Sequence, residues 1–209
     1  MTKKERAQLF YDILEKLYPD ASCSLEYETT LQLLIATQLS AQCTDARVNI
    51  VTKSLFKKYP DVYAFSNASQ KELEEDIRST GFYHNKAKNI IGCCKRIIEV
   101  FGGEVPDNME DMLTLDGVGR KTANLVLGDV FGKGGMVIDT HAKRILYRVG
   151  LTKETLPEKV EKDTQNLLPR DKHSNFCHRL VLHGRALCMA RNPKCNQCDA
   201  FDICKRAGL

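Results

Sequence analysis

The chain has 209 residues, enough for one large domain or two modest ones with separate cores. Hydrophobic residues make up 43% and charged residues 28%, an ordinary globular composition, and the chain carries no heptads, repeats or low-complexity tracts. The formal net charge is only +4, from 31 Lys and Arg against 27 Asp and Glu, which permits nucleic-acid binding without demanding it.

No segment approaches the apolar length of a membrane span, and MTKKERAQLF has no apolar run of signal-peptide length. The expected compartment is therefore the cytosol, with no membrane partner. In chain order the periodicity is helical almost throughout. Residues 4–17 carry Leu9, Phe10, Ile13, Leu14 and Leu17 on one stripe. Residues 29–41 hold the run LLIA, the pattern of a helix buried on most sides. Thr44 can cap the next helix, which runs to about Tyr59 before Pro60. Ser69 opens a charged helix that Gly81 ends, and residues 85–101 form another that stops at Gly102-Gly103. A short helix over NMEDMLTL follows, then helices at about 119–131, 140–149, 155–168 and 172–187. Met136–Ile138 is an apolar run too isolated for a sheet. The expected fold class is all-α, about ten helices ending in a cysteine-rich loop. GKGG at 132–135 marks the domain boundary.

Nine cysteines are many for a reducing compartment, where they serve as thiols or metal ligands rather than disulfides. Five are scattered. The other four follow the spacing Cys188-x6-Cys195-x2-Cys198-x5-Cys204. Structural zinc sites usually use two close pairs joined by a long loop, and here only one pair is close. A compact wrapping loop suits a [4Fe–4S] cube better. On spacing alone both remain open. Arg191 and Lys194 lie in the first gap, on a loop that a metal centre would pin at both ends. They are either phosphate contacts or solvated surface charges.

The stretch LDGVGRKTAN, residues 115–124, interrupts two helices with Gly117-Val118-Gly119. The glycines let the chain turn sharply and let N–H groups approach a bulky anion. The second helix points its N-terminal dipole the same way. Such a hairpin grips a phosphate without reading a base. Lys121 sits beside that helix N-terminus and next to Arg120, an environment that favours the neutral, nucleophilic amine. A phosphate-binding lysine is the plainer alternative. Asp139, within VIDTHAKRILYRV, is placed to cap the following helix. Its carboxylate is also of the type that takes a proton from an amine or steadies a developing cation.

LDGVGRKTAN, VIDTH, LHGRALC and the four-cysteine spacing, in this order, resemble the endonuclease III family of helix-hairpin-helix DNA glycosylase/lyases. LLIATQLSAQCTD and STGFYHNKAKNI extend the similarity over nearly the whole chain. The resemblance implies two helical domains: a six-helix barrel over 22–134 with the hairpin, and a discontinuous domain of 1–21 and 135–209 holding a [4Fe–4S] cluster on Cys188, Cys195, Cys198 and Cys204. It implies a monomer that binds double-stranded DNA carrying a damaged pyrimidine or an abasic site, in a bacterial cytoplasm, at the nucleoid. Lys121 would attack the sugar of a flipped nucleotide, helped by Asp139, and beta-elimination would cut the strand. Gln42 and Phe82 would enter the duplex where the damaged base leaves, while Gly117, Val118, Gly119, Arg191 and Lys194 would hold DNA. Relatives usually carry leucine in place of Phe82, proline in place of Asp116 and alanine in place of Cys43. Asp116 is expected to put a negative charge near the hairpin phosphate and to lower affinity modestly. Two rival readings remain: an adenine or mismatch glycosylase, which generally lacks a lysine at position 121, and a non-catalytic DNA-binding module.

Overall fold

The computed structural model describes all 209 residues. It is helical, with no strand. The α-helices in chain order are α1 (Lys3–Leu17), α2 (Thr30–Leu39), α3 (Asp45–Lys58), α4 (Val62–Ser66), α5 (Gln70–Ile77), α6 (Tyr83–Phe101), α7 (Met109–Met112), α8 (Arg120–Asp129), α9 (Thr140–Val149), α10 (Pro157–Thr164) and α11 (His173–Ala186). Local chemistry sets most of their starts. At α1, Thr2 Oγ1 accepts from the Glu5 amide while the Thr2 amide donates to the Glu5 carboxylate, closing a reciprocal cap. Thr29, Thr44, Asp61 and Asn108 cap α2, α3, α4 and α7 in the simpler way. Gly102 ends α6 in the left-handed conformation at φ +63°.

Three expectations change in detail. Helix α4 is additional: a five-residue turn between Pro60 and Ser69 is too short to show a period. The charged helix expected from Ser69 to Gly81 ends at Ile77 and tightens into a 3₁₀ turn over Arg78–Thr80. Helix α10 is shorter than residues 155–168: it starts at Pro157, a residue suited to the first helical position, and ends at Thr164.

The chain divides into two compact units, Cys23–Phe131 and the combination of Met1–Ser22 with Gly132–Leu209. The first holds α2 to α8 around Leu33, Leu34, Ile35, Phe65, Leu73, Ile77 and Ile90. Helix α2 contributes a continuous buried run, Leu33 to Leu39, as befits a helix surrounded by others. The second unit holds α1, α9, α10 and α11 around Phe10, Leu14, Ile145, Leu146, Phe176 and Leu180. Phe10 and Phe176 meet edge to face at 6.1 Å. Each large apolar side chain so buried stabilises its unit by about 1.5–3 kcal/mol before cavity effects are added. Arg179 ties α11 to the end of α1, donating from Nε to the Tyr18 carbonyl at 3.3 Å and pairing with Glu15 at 3.1 Å. No helix is long and apolar enough to cross a membrane.

Candidate DNA-binding and catalytic residues

The hairpin between α7 and α8 is a hydrogen-bonded turn, with the Val118 amide donating to the Leu115 carbonyl at 3.1 Å. Gly117 takes φ +73° at its third position, which defines a type II turn and favours glycine there. A Cβ on Gly117 would lie 2.9 Å from both Asn89 Cβ and Gln38 Oε1, so the turn is seated on α6 and the end of α2. Gly119 differs. Its backbone is extended, at φ −98° and ψ 175°, and nothing stands within 4 Å of where a Cβ would be. Neither conformation nor packing requires a glycine there. What it leaves is open space in front of the first turn of α8, and no side chain caps that turn. Val118 between them is buried and anchors the hairpin to the core. The positive end of the α8 dipole therefore lies beside the open space at Gly119, an arrangement that favours an anion.

Lys121 is the second residue of α8 and is exposed. Asp139 is half-buried and caps α9, its Oδ1 accepting from the Ala142 amide at 2.7 Å. That bond fixes the orientation of the carboxylate and occupies one of its oxygens. His141 stands beside it. Burial holds its pKa below the usual value, against the opposing pull of Asp139. Its Nδ1 faces Arg144 Nη2 at 3.1 Å, so a neutral ring accepts there and keeps its proton on Nε2.

Gln42 and Phe82 share an unusual backbone. Only four non-glycine residues have left-handed φ: Gln42 (+54°), Phe82 (+50°), Asn192 (+50°) and Arg206 (+52°). Such a conformation costs on the order of 1 kcal/mol and points to a functional constraint. Gln42 follows α2 and Phe82 precedes α6; both are exposed, Phe82 at 63%. They line one open pocket together with Gln38, Ala41, Asn85, Lys86, Asn89 and Gly117 of the hairpin. The structure thus brings Gln42, Phe82 and the glycine turn to one face of one unit.

Asn192 lies between Arg191 and Lys194, both exposed, on the loop that follows Cys188. Cys188, Cys195, Cys198 and Cys204 line a single pocket with Phe10, Ile145, Val149, His183, Leu187 and Pro193 among its walls. No group of three His, Cys, Asp or Glu side chains is arranged to hold one metal ion. Two of the sulfurs receive donors from the chain. Arg148 Nη1 reaches Cys188 Sγ at 3.5 Å, and the Arg206 amide reaches Cys204 Sγ at 3.4 Å. Arg148 also donates to the Met189 and Ala190 carbonyls at 2.6 and 3.1 Å, holding the loop that carries Arg191. Burial pushes the Cys198 and Cys204 thiols above the usual range. Burial likewise pushes His183 down to about 4, so its ring is neutral at neutral pH.

Two residues of this region were not singled out by sequence. Lys86 is buried and donates to two backbone carbonyls. Its signal was its place four residues before Ile90, on the buried stripe of α6. Gln38 is buried under Gly117, against the Cys93 thiol.

Residues 35–170 match the HhH-GPD superfamily, described as base excision DNA repair protein. The chain is 53% identical over 207 residues to the endonuclease III of Synechocystis sp., covering 99% of this chain and 94% of that one. It is 40% identical to the endonuclease III of Bacillus subtilis, over 98% of this chain and 94% of that one. Among solved structures it resembles a non-covalent endonuclease III–DNA complex with a TM-score of 0.91 and 40% identity, over 99% of this chain and 97% of the other. A trapped endonuclease III–DNA covalent intermediate matches equally well, at a TM-score of 0.91.

Proposed function

The chain belongs to the endonuclease III family of base excision DNA repair proteins, and from that premise we propose a bifunctional DNA glycosylase and AP lyase that removes oxidised pyrimidines from double-stranded DNA. The observation that carries this reading is Lys121: an exposed amine in the uncapped first turn of α8, two residues after a glycine whose surroundings are empty.

The reading gives each group a step. The hairpin from Gly117 to Gly119 holds a phosphate beside the lesion through the N–H groups that the turn bond of Val118 does not use, and Arg191 and Lys194 hold others. The damaged nucleotide leaves the stack, and Gln42 and Phe82 occupy the gap. Asp139 accepts a proton from Lys121, and the neutral Nζ attacks the sugar C1′. The bond from C1′ to the base breaks and the base departs with a proton. Ring opening then gives a Schiff base between Nζ and C1′. Loss of the C2′ proton breaks the C3′–O bond, and water hydrolyses the Schiff base to free Lys121. The cap from Asp139 to Ala142 suits this role, because it holds the carboxylate in one orientation throughout. The reading requires Asp139 to act on the same nucleotide as Lys121.

A [4Fe–4S] cluster fits the four cysteines. In a cube each thiolate binds its own iron, so the sulfurs surround the cluster rather than converge on one point. Four cysteines on the wall of one largely apolar pocket, two of them with N–H donors at their sulfurs, suit that group, and the compact spacing favours it over a mononuclear zinc. When bound, the cluster stabilises the loop bearing Arg191 and Lys194. The protein is read as a monomer working in the bacterial cytoplasm at the nucleoid.

Strand cleavage tests the reading. A duplex with one thymine glycol is cut by the wild type and left intact by Lys121→Ala, while the variant still binds DNA. A Lys121→Ala variant that cuts at the wild-type rate would refute it.

A further inference from the structure

The geometry points to Lys86 as a positioning residue that sets the spacing between the Gln42 and Phe82 probes through two backbone hydrogen bonds. The inference rests on the assignment of those two side chains to the opened duplex.

Lys86 is only 6% exposed, and its Nζ donates to the Leu39 carbonyl at 2.8 Å and to the Thr80 carbonyl at 2.9 Å. Both acceptors stand at the C-terminal ends of helical segments. Leu39 is the last residue of α2, three before Gln42, and Thr80 ends the 3₁₀ turn, two before Phe82. The negative ends of these helical segments stabilise a cation, and their last carbonyls have no partner within the helix. The Lys86 amide meanwhile donates to the Phe82 carbonyl at 3.1 Å, the first bond of α6. One residue therefore holds the roots of both probes by three hydrogen bonds.

Burying an ammonium on two neutral carbonyls is an expensive way to fill space. Desolvation lowers the Lys86 pKa, with Cys43 opposing weakly. A core residue of similar volume would avoid that cost. What the lysine provides is a fixed separation between two segments that then turn left-handed, at Gln42 and at Gly81-Phe82. Gln42 lies beyond the end of α2, and Phe82 touches α6 only through its own carbonyl at the first bond of that helix. Without the clamp each segment relaxes independently, and two probes that must enter one gap lose register. A displacement of about 1 Å is enough to cost on the order of 100-fold in an assembled site.

The test uses a duplex with a non-cleavable tetrahydrofuran abasic site and 2-aminopurine as the opposite base. Its fluorescence rises when the base is unstacked by inserted side chains, and no bond is broken. Wild type gives the rise, and Lys86→Met lowers its amplitude or rate by about 10- to 100-fold at saturating protein. In a Gln42→Ala/Phe82→Ala background, Lys86→Met changes the signal no further, since there are no probes left to place. Circular dichroism confirms that the variant is folded; if Lys86→Met does not fold, Lys86→Gln, which can reach one carbonyl only, carries the same comparison. A wild-type signal in Lys86→Met, or an equal additional loss in the probe-less background, would overturn the assignment. A normal wild-type signal with no covalent chemistry would remove the Lys121 mechanism and leave the clamp standing. No wild-type signal at all would remove the clamp with the probes.

Discussion

Asp116 lays its carboxylate against Gly92 of α6, where an added Cβ would collide with it. The hairpin is thus keyed to α6 by a side chain as well as by the close seat of Gly117, and Arg96 adds a bond from Nε to Thr114 at 3.0 Å. The acidic residue at the turn is folded back onto a helix, and that tempers its effect on a phosphate.

Asp116 occupies the second position of a type II turn, where proline is preorganised. Asp116→Pro is expected to raise the unfolding free energy by about 0.4–1 kcal/mol through the unfolded state. Removing one charge near the hairpin should tighten DNA binding modestly, more at low salt than at high salt. Binding titrations at two salt concentrations check this; equal affinities in both would show that the carboxylate does not act on DNA.

Asp139 separates into two roles by substitution. Asparagine caps a helix as well as aspartate does, so Asp139→Asn keeps stability and loses the proton acceptor. Asp139→Ala loses the bond to Ala142 as well, and should cost about 1 kcal/mol more. Thermal unfolding beside single-turnover cleavage distinguishes them. Full activity in Asp139→Asn would reduce Asp139 to a cap.

Phe82 is strained and exposed at once. Phe82→Gly should leave the unfolding free energy unchanged or raise it by up to about 1 kcal/mol, because glycine relieves the left-handed backbone. Its activity on a paired lesion should nevertheless fall. A variant that loses stability and keeps activity would mean that Phe82 serves the fold.

Cys198→Ser is expected to lose the brown colour and most of its iron, and to melt at a lower temperature than wild type. Elemental analysis decides the metal. A colourless wild type with stoichiometric zinc would replace the cluster with a mononuclear site.

The helices and the cysteine spacing were legible in the sequence because each is a local pattern. Buried stripes recur every three to four residues, and Thr29, Thr44 and Asp139 cap helices through bonds only three residues long. Helix α4 escaped because five residues show no period. The left-handed turns at Gln42 and Phe82 escaped for another reason. Neither residue is glycine or asparagine, so nothing in their identity announces the conformation that the structure imposes. The Asp116 carboxylate resting on Gly92 and the Lys86 clamp join positions 24 and 47 residues apart respectively, a pairing no single-sequence period encodes. The place of Lys121 at the start of a helix after two glycines was readable in the sequence. The emptiness around Gly119 was not, because it depends on what other segments leave vacant.

The most direct test of the central claim is borohydride trapping. The purified protein is mixed with a duplex containing one thymine glycol, borohydride is added, and the products are run on a denaturing gel. The account predicts a covalent protein–DNA band that is absent with Lys121→Ala. A band that persists in that variant, or no band on either a thymine glycol or an abasic duplex while binding is intact, would contradict the lysine Schiff base.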